Sequence, residues 1–125
     1  MSANEDLVRS FCTAWSRRDI EELVGFFTED AVYHNMPMAP VTGHDGIRAV
    51  MQFFVPGADE IEFDVLALAS AGDLVLTERV DRFVMGGKKV ELPVAGVFEI
   101  RDGKIAAWRD YFDMAAWTSQ TSGAS

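Results

Sequence analysis

Thr77-Glu78-Arg79-Val80-Asp81-Arg82-Phe83 sets two opposite charges, Arg79 and Asp81, into an apolar strand pattern. The stretch lies within a β-like run from Leu74 to Met85, where side chains alternate between two faces with a period of two. Val75, Thr77, Arg79, Asp81, Phe83 and Met85 fall on one face, and Leu74, Leu76, Glu78, Val80, Arg82 and Val84 on the other. A charge on such a face is costly unless it is paired. An i,i+2 Arg/Asp pair is therefore either a structural ion pair or the wall of a polar site, and taken alone this segment favours the structural reading.

The alternation continues on both sides. Upstream, Ile61 to Ala69 sets Ile61, Phe63 and Val65 against Glu62 and Asp64, and Ala71-Gly72-Asp73 turns into the central run. Downstream, Gly86-Gly87 is a two-residue hairpin signal, because both positions tolerate positive φ. Val90, Leu92, Val94, Phe98 and Ile100 mark the next strand, and Asp102-Gly103 a second tight turn. Lys104 to Asp113 forms the last strand, with Ala106, Trp108, Asp110 and Phe112 on one face. The Ser/Thr/Gly-rich stretch over residues 118–125 predicts a frayed, flexible tail.

The N-terminal half is helical. Ser2, with Glu5 three residues on, predicts a capped helix whose apolar stripe of Leu7, Phe11, Ala14 and Trp15 ends near Arg17-Arg18. Asp19 and Glu22 predict a second, short helix through Leu23, Phe26 and Phe27, punctuated by Thr28-Glu29-Asp30. Ala31 to Asn35 reads as a short strand on which Tyr33 and Asn35 point one way and His34 the other. Met36-Pro37-Met38-Ala39-Pro40 is a loop, since proline cannot donate to a ladder, and its apolar character suits the mouth of a pocket. Gly43 starts a third helix with Ile47, Val50, Met51 and Phe54 on one side, stopped by Pro56-Gly57. Three N-terminal helices followed by a strand meander is an α+β order. A curved sheet with helices closing one side makes a cone around a cavity, in a single domain spanning residues 1–125.

Composition narrows the function. At 125 residues, with 49% apolar content and nine Phe, the chain can bury a core that contains a cavity. A net charge of -9, with no Lys/Arg cluster longer than two residues, argues against nucleic acid or an anionic membrane as partner. The lone Cys12 excludes an internal disulfide and a Cys-rich metal site, and it falls within the first helix pattern as a core residue. His34 reads as a surface or interface residue and His44 as an exposed helix start; without ligand spacing they imply no metal. No apolar run approaches ~18 residues and the N-terminus lacks a signal-peptide core, which predicts a soluble, cytoplasmic protein.

Three strands now carry comparable pairs: Tyr33 with Asn35, Arg79 with Asp81, and Trp108 with Asp110, each set into apolar sequence. If all three faces turn into one cavity, it holds two carboxylates, a guanidinium, a phenol, an amide and an indole N–H. Opening of a strained, uncharged electrophile such as an epoxide suits that set. One carboxylate must be ionised to take a proton from water, and the other must carry a proton to the departing oxygen. Two carboxylates in an apolar pocket repel, so one pKa rises and the roles separate. A guanidinium touching both holds the geometry, while Tyr and Asn can fix a water. The chemistry alone does not tell Asp81 from Asp110.

Tyr33-His34-Asn35-Met36-Pro37, Arg79-Val80-Asp81 and Trp108-Arg109-Asp110-Tyr111-Phe112-Asp113, in this order and at these separations, resemble limonene-1,2-epoxide hydrolase over nearly the whole chain. That family is a branch of the nuclear-transport-factor-2-like, or ketosteroid-isomerase-like, cone. The resemblance implies an α+β barrel with a curved mixed sheet, usually a homodimer, that adds water to a small or medium apolar epoxide in one step without cofactor or covalent intermediate. It implies Asp110 as general base, Tyr33 and Asn35 as holders of the water, Asp81 as general acid and Arg79 as the bridge between the aspartates. Trp108, Met36, Met38, Phe54, Leu74, Met85, Leu92 and Phe112 are the candidate pocket lining. The competing readings are a ketosteroid-isomerase-like or polyketide-cyclase-like enzyme, and a non-catalytic small-molecule binding module on the same cone. Neither has use for an arginine joining two buried aspartates.

Overall fold

The computed structural model describes residues 2–122. The Ser2 hydroxyl accepts a hydrogen bond from Glu5 N and opens helix α1 (Ala3–Ala14), which runs on into a 3-10 turn at Trp15–Arg17. Asp19 caps α2 (Ile20–Val24) by accepting from Glu22 N. This helix is shorter than its sequence indicates. Phe27 starts strand β1 (Phe27–Asn35), so Thr28-Glu29-Asp30 are strand residues rather than punctuation. The cause is distant in sequence: Phe27 pairs with Ile105 on strand β6 (Lys104–Tyr111) and is buried.

After the Met-Pro loop, the two-residue strand β2 (Val41–Thr42) pairs with β1 and leads into α3 (Gly43–Phe54), which buries Ile47 and Met51. His44, at its start, is half-buried rather than exposed, with Nε2 2.9 Å from Phe27 O. Three long strands follow, β3 (Glu60–Ala71), β4 (Leu74–Met85) and β5 (Lys88–Arg101). The β4–β5 turn places Gly86 and Gly87 at φ 59 and 82, and the β5–β6 turn places Asp102 and Gly103 at φ 52 and 75, as two-residue hairpins require.

The chain does not fray at Thr118. Helix α4 (Met114–Thr121) is capped by Asp113, whose carboxylate accepts from Ala115 N at 2.9 Å. Gln120 ties it to β5, accepting from Glu91 N and donating to Glu91 O at 2.8 Å each. The local sequence lacks apolar periodicity; these tertiary bonds hold the helix in place. The last three residues of the expected tail lie outside the described residues.

The sheet order is β2-β1-β6-β5-β4-β3, antiparallel except for the parallel β1–β6 pair. The sheet is curved and mixed but does not close on itself. Helix α1 packs on β3, α3 on β1 and α4 on β5, so a C-terminal helix joins the three N-terminal ones in closing the concave side. At the apex Phe11 meets Phe27, Phe98 and Trp108 edge-on, at 5.4, 6.0 and 4.9 Å between ring centroids. No helix among the described residues is long and apolar enough to cross a membrane.

Candidate active site

Alternation along β4 brings Thr77, Arg79 and Asp81 inward and leaves Leu74 and Leu76 39% and 47% exposed. Register does the rest. The parallel β1–β6 pair sets Tyr33 beside Trp108 and Asn35 beside Asp110, while Gly96 on β5 lies opposite both Asp110 and Thr77. The three sequence-predicted pairs thus converge on one concave surface.

At its centre lies a buried triad. Arg79 Nε donates to Asp81 Oδ1 at 2.9 Å, and Nη2 donates to Asp81 Oδ2 and to Asp110 Oδ2, both at 2.8 Å. Nη1 donates to Asp110 Oδ1 and to Thr77 Oγ1, both at 3.2 Å. Every N–H of the guanidinium therefore has an acceptor. Arg79, Asp81 and Asp110 are 1%, 3% and 4% exposed, so these bonds form out of reach of solvent screening. The guanidinium also sits over the Phe63 ring, 4.9 Å from its centroid.

The two carboxyls are not equivalent. Asp110 accepts a further bond from Trp108 Nε1, at 2.7 Å, and so collects three N–H donors to the two of Asp81. Trp108 is held rigidly between Tyr33, stacked at 4.4 Å, and Phe98, stacked at 5.6 Å. Burial pushes the Asp81 carboxyl from 3.8 up to about 6; Arg79 opposes the rise and the Asp110 charge adds to it. Burial also disfavours charge on Arg79, but the two aspartates outweigh it and hold the guanidinium protonated, its pKa well above the ordinary value. With both carboxyls ionised the triad would carry one net negative charge in an apolar setting. One proton makes it neutral.

Tyr33 and Asn35 complete the polar set. Asn35 Nδ2 donates to Tyr33 Oη at 2.9 Å, and Tyr33 Oη lies 3.2 Å from Asn35 Oδ1. Burial pushes the Tyr33 phenol up, so it stays a neutral hydrogen-bonding group.

These groups open onto a cavity of about 550 Å³. Tyr33, Asn35, Asp81 and Asp110 line it, as do Met38, Phe54, Leu92 and Phe112 from the expected lining. Four expected lining residues are elsewhere. Leu74 lies on the outer face of β4, and Met85 packs against the core at the hairpin end of that strand. Met36 follows Asn35 outside the cavity lining, its backbone N donating to Asp110 O at 2.9 Å. Trp108 is fully buried behind Asp110, so its contribution is the indole N–H to Asp110 and not a surface for substrate.

Trp15, Met51, Phe63, Phe83 and Trp117 line the cavity but were not assigned to it from sequence. Phe63 and Phe83 had a signal, since each shares the inward parity of its strand. Trp117 had none, because its helix is defined by tertiary bonds. Among the described residues no group of three or more His, Cys, Asp or Glu could hold a metal ion. Cys12 is buried behind the triad, its thiol pushed up to about 12 by burial, which keeps it an inert core residue.

A model of the limonene-1,2-epoxide hydrolase catalytic domain matches residues 2–122. Epoxide hydrolase EphG of Mycobacterium tuberculosis (strain ATCC 25618 / H37Rv) is 32% identical over 107 residues, covering 86% of this chain and 71% of that protein. Among solved structures, an M. tuberculosis LEH-like epoxide hydrolase superposes with a TM-score of 0.83 at 29% identity, over 97% of this chain and 91% of that one. A putative SnoaL-like polyketide cyclase from Shewanella putrefaciens CN-32 reaches a TM-score of 0.87 at 18% identity, over 98% of each chain, a likeness of fold alone. The hydrolase match spans all three segments that build the polar wall of the cavity, and on it the chain belongs to the limonene-1,2-epoxide hydrolase family.

Proposed function

We propose that the protein is a cofactor-independent epoxide hydrolase that adds water to an apolar epoxide in one step, giving a vicinal diol. The observation that carries this reading is the buried Arg79 bridging two carboxyls of unequal surroundings at the polar wall of an apolar cavity. Asp110, with three N–H donors, is better stabilised as an anion and acts as general base; Asp81 is where the neutralising proton resides and acts as general acid. Tyr33 and Asn35 hold the nucleophilic water against Asp110. As the water oxygen bonds to an epoxide carbon, Asp110 takes its proton, the ring C–O bond breaks, and Asp81 delivers its proton to the departing oxygen. Proton exchange with solvent then returns the proton to Asp81. Isomerase or cyclase chemistry on this cone needs one base and an oxyanion donor, and leaves the Arg79 bridge without a role.

The cavity, about 550 Å³ and walled by aromatic rings, favours a substrate with a sizeable uncharged body, of medium rather than small size. The test is diol formation from limonene oxide, cyclohexene oxide, styrene oxide and larger apolar epoxides, with purified protein in EDTA. Metal-independent turnover is expected, with label from ¹⁸O-water in the diol at the first turnover. A folded protein silent across the panel would overturn the reading and direct a steroid and polyketide screen.

The same reading includes a homodimer acting in the cytoplasm. On the outer side of the sheet Leu76 pairs with Val97 and Ala95 with Tyr111, with Leu76 and Tyr111 47% and 46% exposed, and this is the surface a second copy would cover. Sedimentation equilibrium is expected to give twice the monomer mass, reduced toward the monomer by Leu76→Glu; a monomeric wild type would remove the dimer from this picture.

A further inference from the structure

Gly96 lies in the middle of β5 on its inward side, flanked by buried Val94 and Phe98. Its φ is not positive, unlike that of the glycines at the turns. Any residue can adopt its backbone, and a glycine inside a strand forfeits both backbone entropy and side-chain packing. Conformation therefore does not account for it; space does. A Cβ built on Gly96 would overlap Arg79 Nη1 and lie 2.7 Å from Asp110 Oδ1 and 2.9 Å from Thr77 Oγ1.

The cross-strand row explains the crowding. Thr77 on β4, Gly96 on β5 and Asp110 on β6 are direct neighbours. To reach Asp110, the Arg79 guanidinium must cross β5, and it does so through the space a side chain at 96 would fill. Thr77 closes the other side of that passage. Its hydroxyl accepts the one Nη1 proton that neither carboxyl takes, and lies 3.5 Å from Gly96 O.

We propose that Gly96 and Thr77 are positioning residues of the active site, an open slot and a fifth acceptor that fix the Arg79 guanidinium in the plane where it bonds both aspartates at once. The proposal rests on the hydrolase reading of the cavity for its catalytic consequence, but not for its geometry. Alanine at 96 collides with the end of the Arg79 side chain and with two other side-chain atoms, not with backbone, so the strand is retained and the guanidinium gives way. Thr77→Val keeps shape and burial but leaves one guanidinium N–H without an acceptor.

Displacing the guanidinium removes its stabilisation of the ionised Asp81 carboxyl and raises its titration. The groups within electrostatic reach of Asp81 are Arg79 on its own strand, Asp110 from β6, Tyr33 from β1 and Cys12 from α1. Burial raises both Tyr33 and Cys12, so neither titrates alongside the carboxyls. The cavity lining contributed by β3, β5, α3 and α4 is uncharged.

The experiment is a carbon-13 NMR titration of the Asp81 carboxyl in wild type, Gly96→Ala, Thr77→Val and Thr77→Ser, alongside kcat, KM and Tm. Gly96→Ala and Thr77→Val are expected to move the carboxyl titration to higher pH and to lower kcat by up to about 100-fold with little change in KM. Thr77→Ser, which keeps the hydroxyl, is expected to restore both. Unchanged carboxyl titration in Gly96→Ala and Thr77→Val, or Thr77→Ser behaving like Thr77→Val, would overturn the proposal. Because the titration needs no turnover, a wild type inactive on epoxides whose Asp81 carboxyl still shifts in the variants would refute the hydrolase reading and leave the positioning role standing.

Discussion

Asp110→Asn is expected to lower kcat for epoxide hydration by roughly 10³–10⁴-fold, the upper range for loss of a general base, while the protein still folds and binds apolar ligands. The amide keeps an oxygen to accept from Trp108 Nε1, and Arg79 keeps its paired contact with Asp81, so the buried cluster becomes neutral rather than orphaned. The loss is also more than that of a base. Repulsion from the Asp110 charge is one cause of the raised Asp81 pKa, so removing it lets Asp81 ionise more readily and weakens the acid. The double variant with Asp81→Asn is therefore expected to be little worse than Asp110→Asn alone, a non-additivity typical of groups that act as a unit. Diol formation measures the first effect. Quenching of the cavity-lining Trp15 and Trp117 by an apolar epoxide, together with Tm, reports that the fold and cavity survive. Residual activity above about a tenth of wild type would exclude Asp110 as the base.

Asp81→Asn is expected to cost roughly 10²–10⁴-fold in kcat, since the leaving oxygen loses its proton donor, and it carries a signature in pH that loss of an ordinary structural residue would not. On the proposed mechanism the active form has Asp81 protonated. As pH rises through about 6, Asp81 loses its proton and kcat/KM is expected to fall about tenfold per pH unit. The residual activity of Asp81→Asn should lack that descending limb. Stability follows the same group. The folded-state pKa of Asp81, about 6, lies above its ordinary 3.8, so its contribution is fully present below about pH 4 and is lost as pH rises through about 6. The rise corresponds to roughly 3 kcal/mol of pH-dependent stability. The Tm of wild type relative to Asp81→Asn is thus expected to be more favourable at about pH 5 than at about pH 8. A difference that does not vary between these pH values would mean that Asp81 is already ionised in the acid range and is not the proton donor.

The part of this molecule legible in sequence is the part governed by local periodicity. Alternation along residues 74–85 places Arg79 and Asp81 on the buried face, and the glycine and aspartate turn signals at 86–87 and 102–103 mark two hairpins that the backbone forms. The spacing of Tyr33/Asn35, Arg79/Asp81 and Trp108/Asp110 singles out the side chains that meet. Where elements are held by partners far along the chain, local pattern misleads. Phe27 leaves the predicted helix because Ile105 pairs with it, and α4 replaces a predicted tail because Gln120 bonds Glu91. Leu74 was misplaced for a different reason: its apolar character suggested a pocket, although its parity on β4 already pointed outward.

By itself, then, the sequence determined the α+β order, the inward faces and the identity of the polar residues, because helix and strand periods are properties of a few neighbouring residues. Tertiary structure alone decided how the surroundings of the two carboxyls differ and why Arg79 can reach both. Those depend on a third N–H donor to Asp110 from Trp108, on burial of Asp81, and on a slot at Gly96 that exists only once β4, β5 and β6 lie in register. Charge distribution in a buried site is set by distances across strands, and no spacing along one strand encodes it.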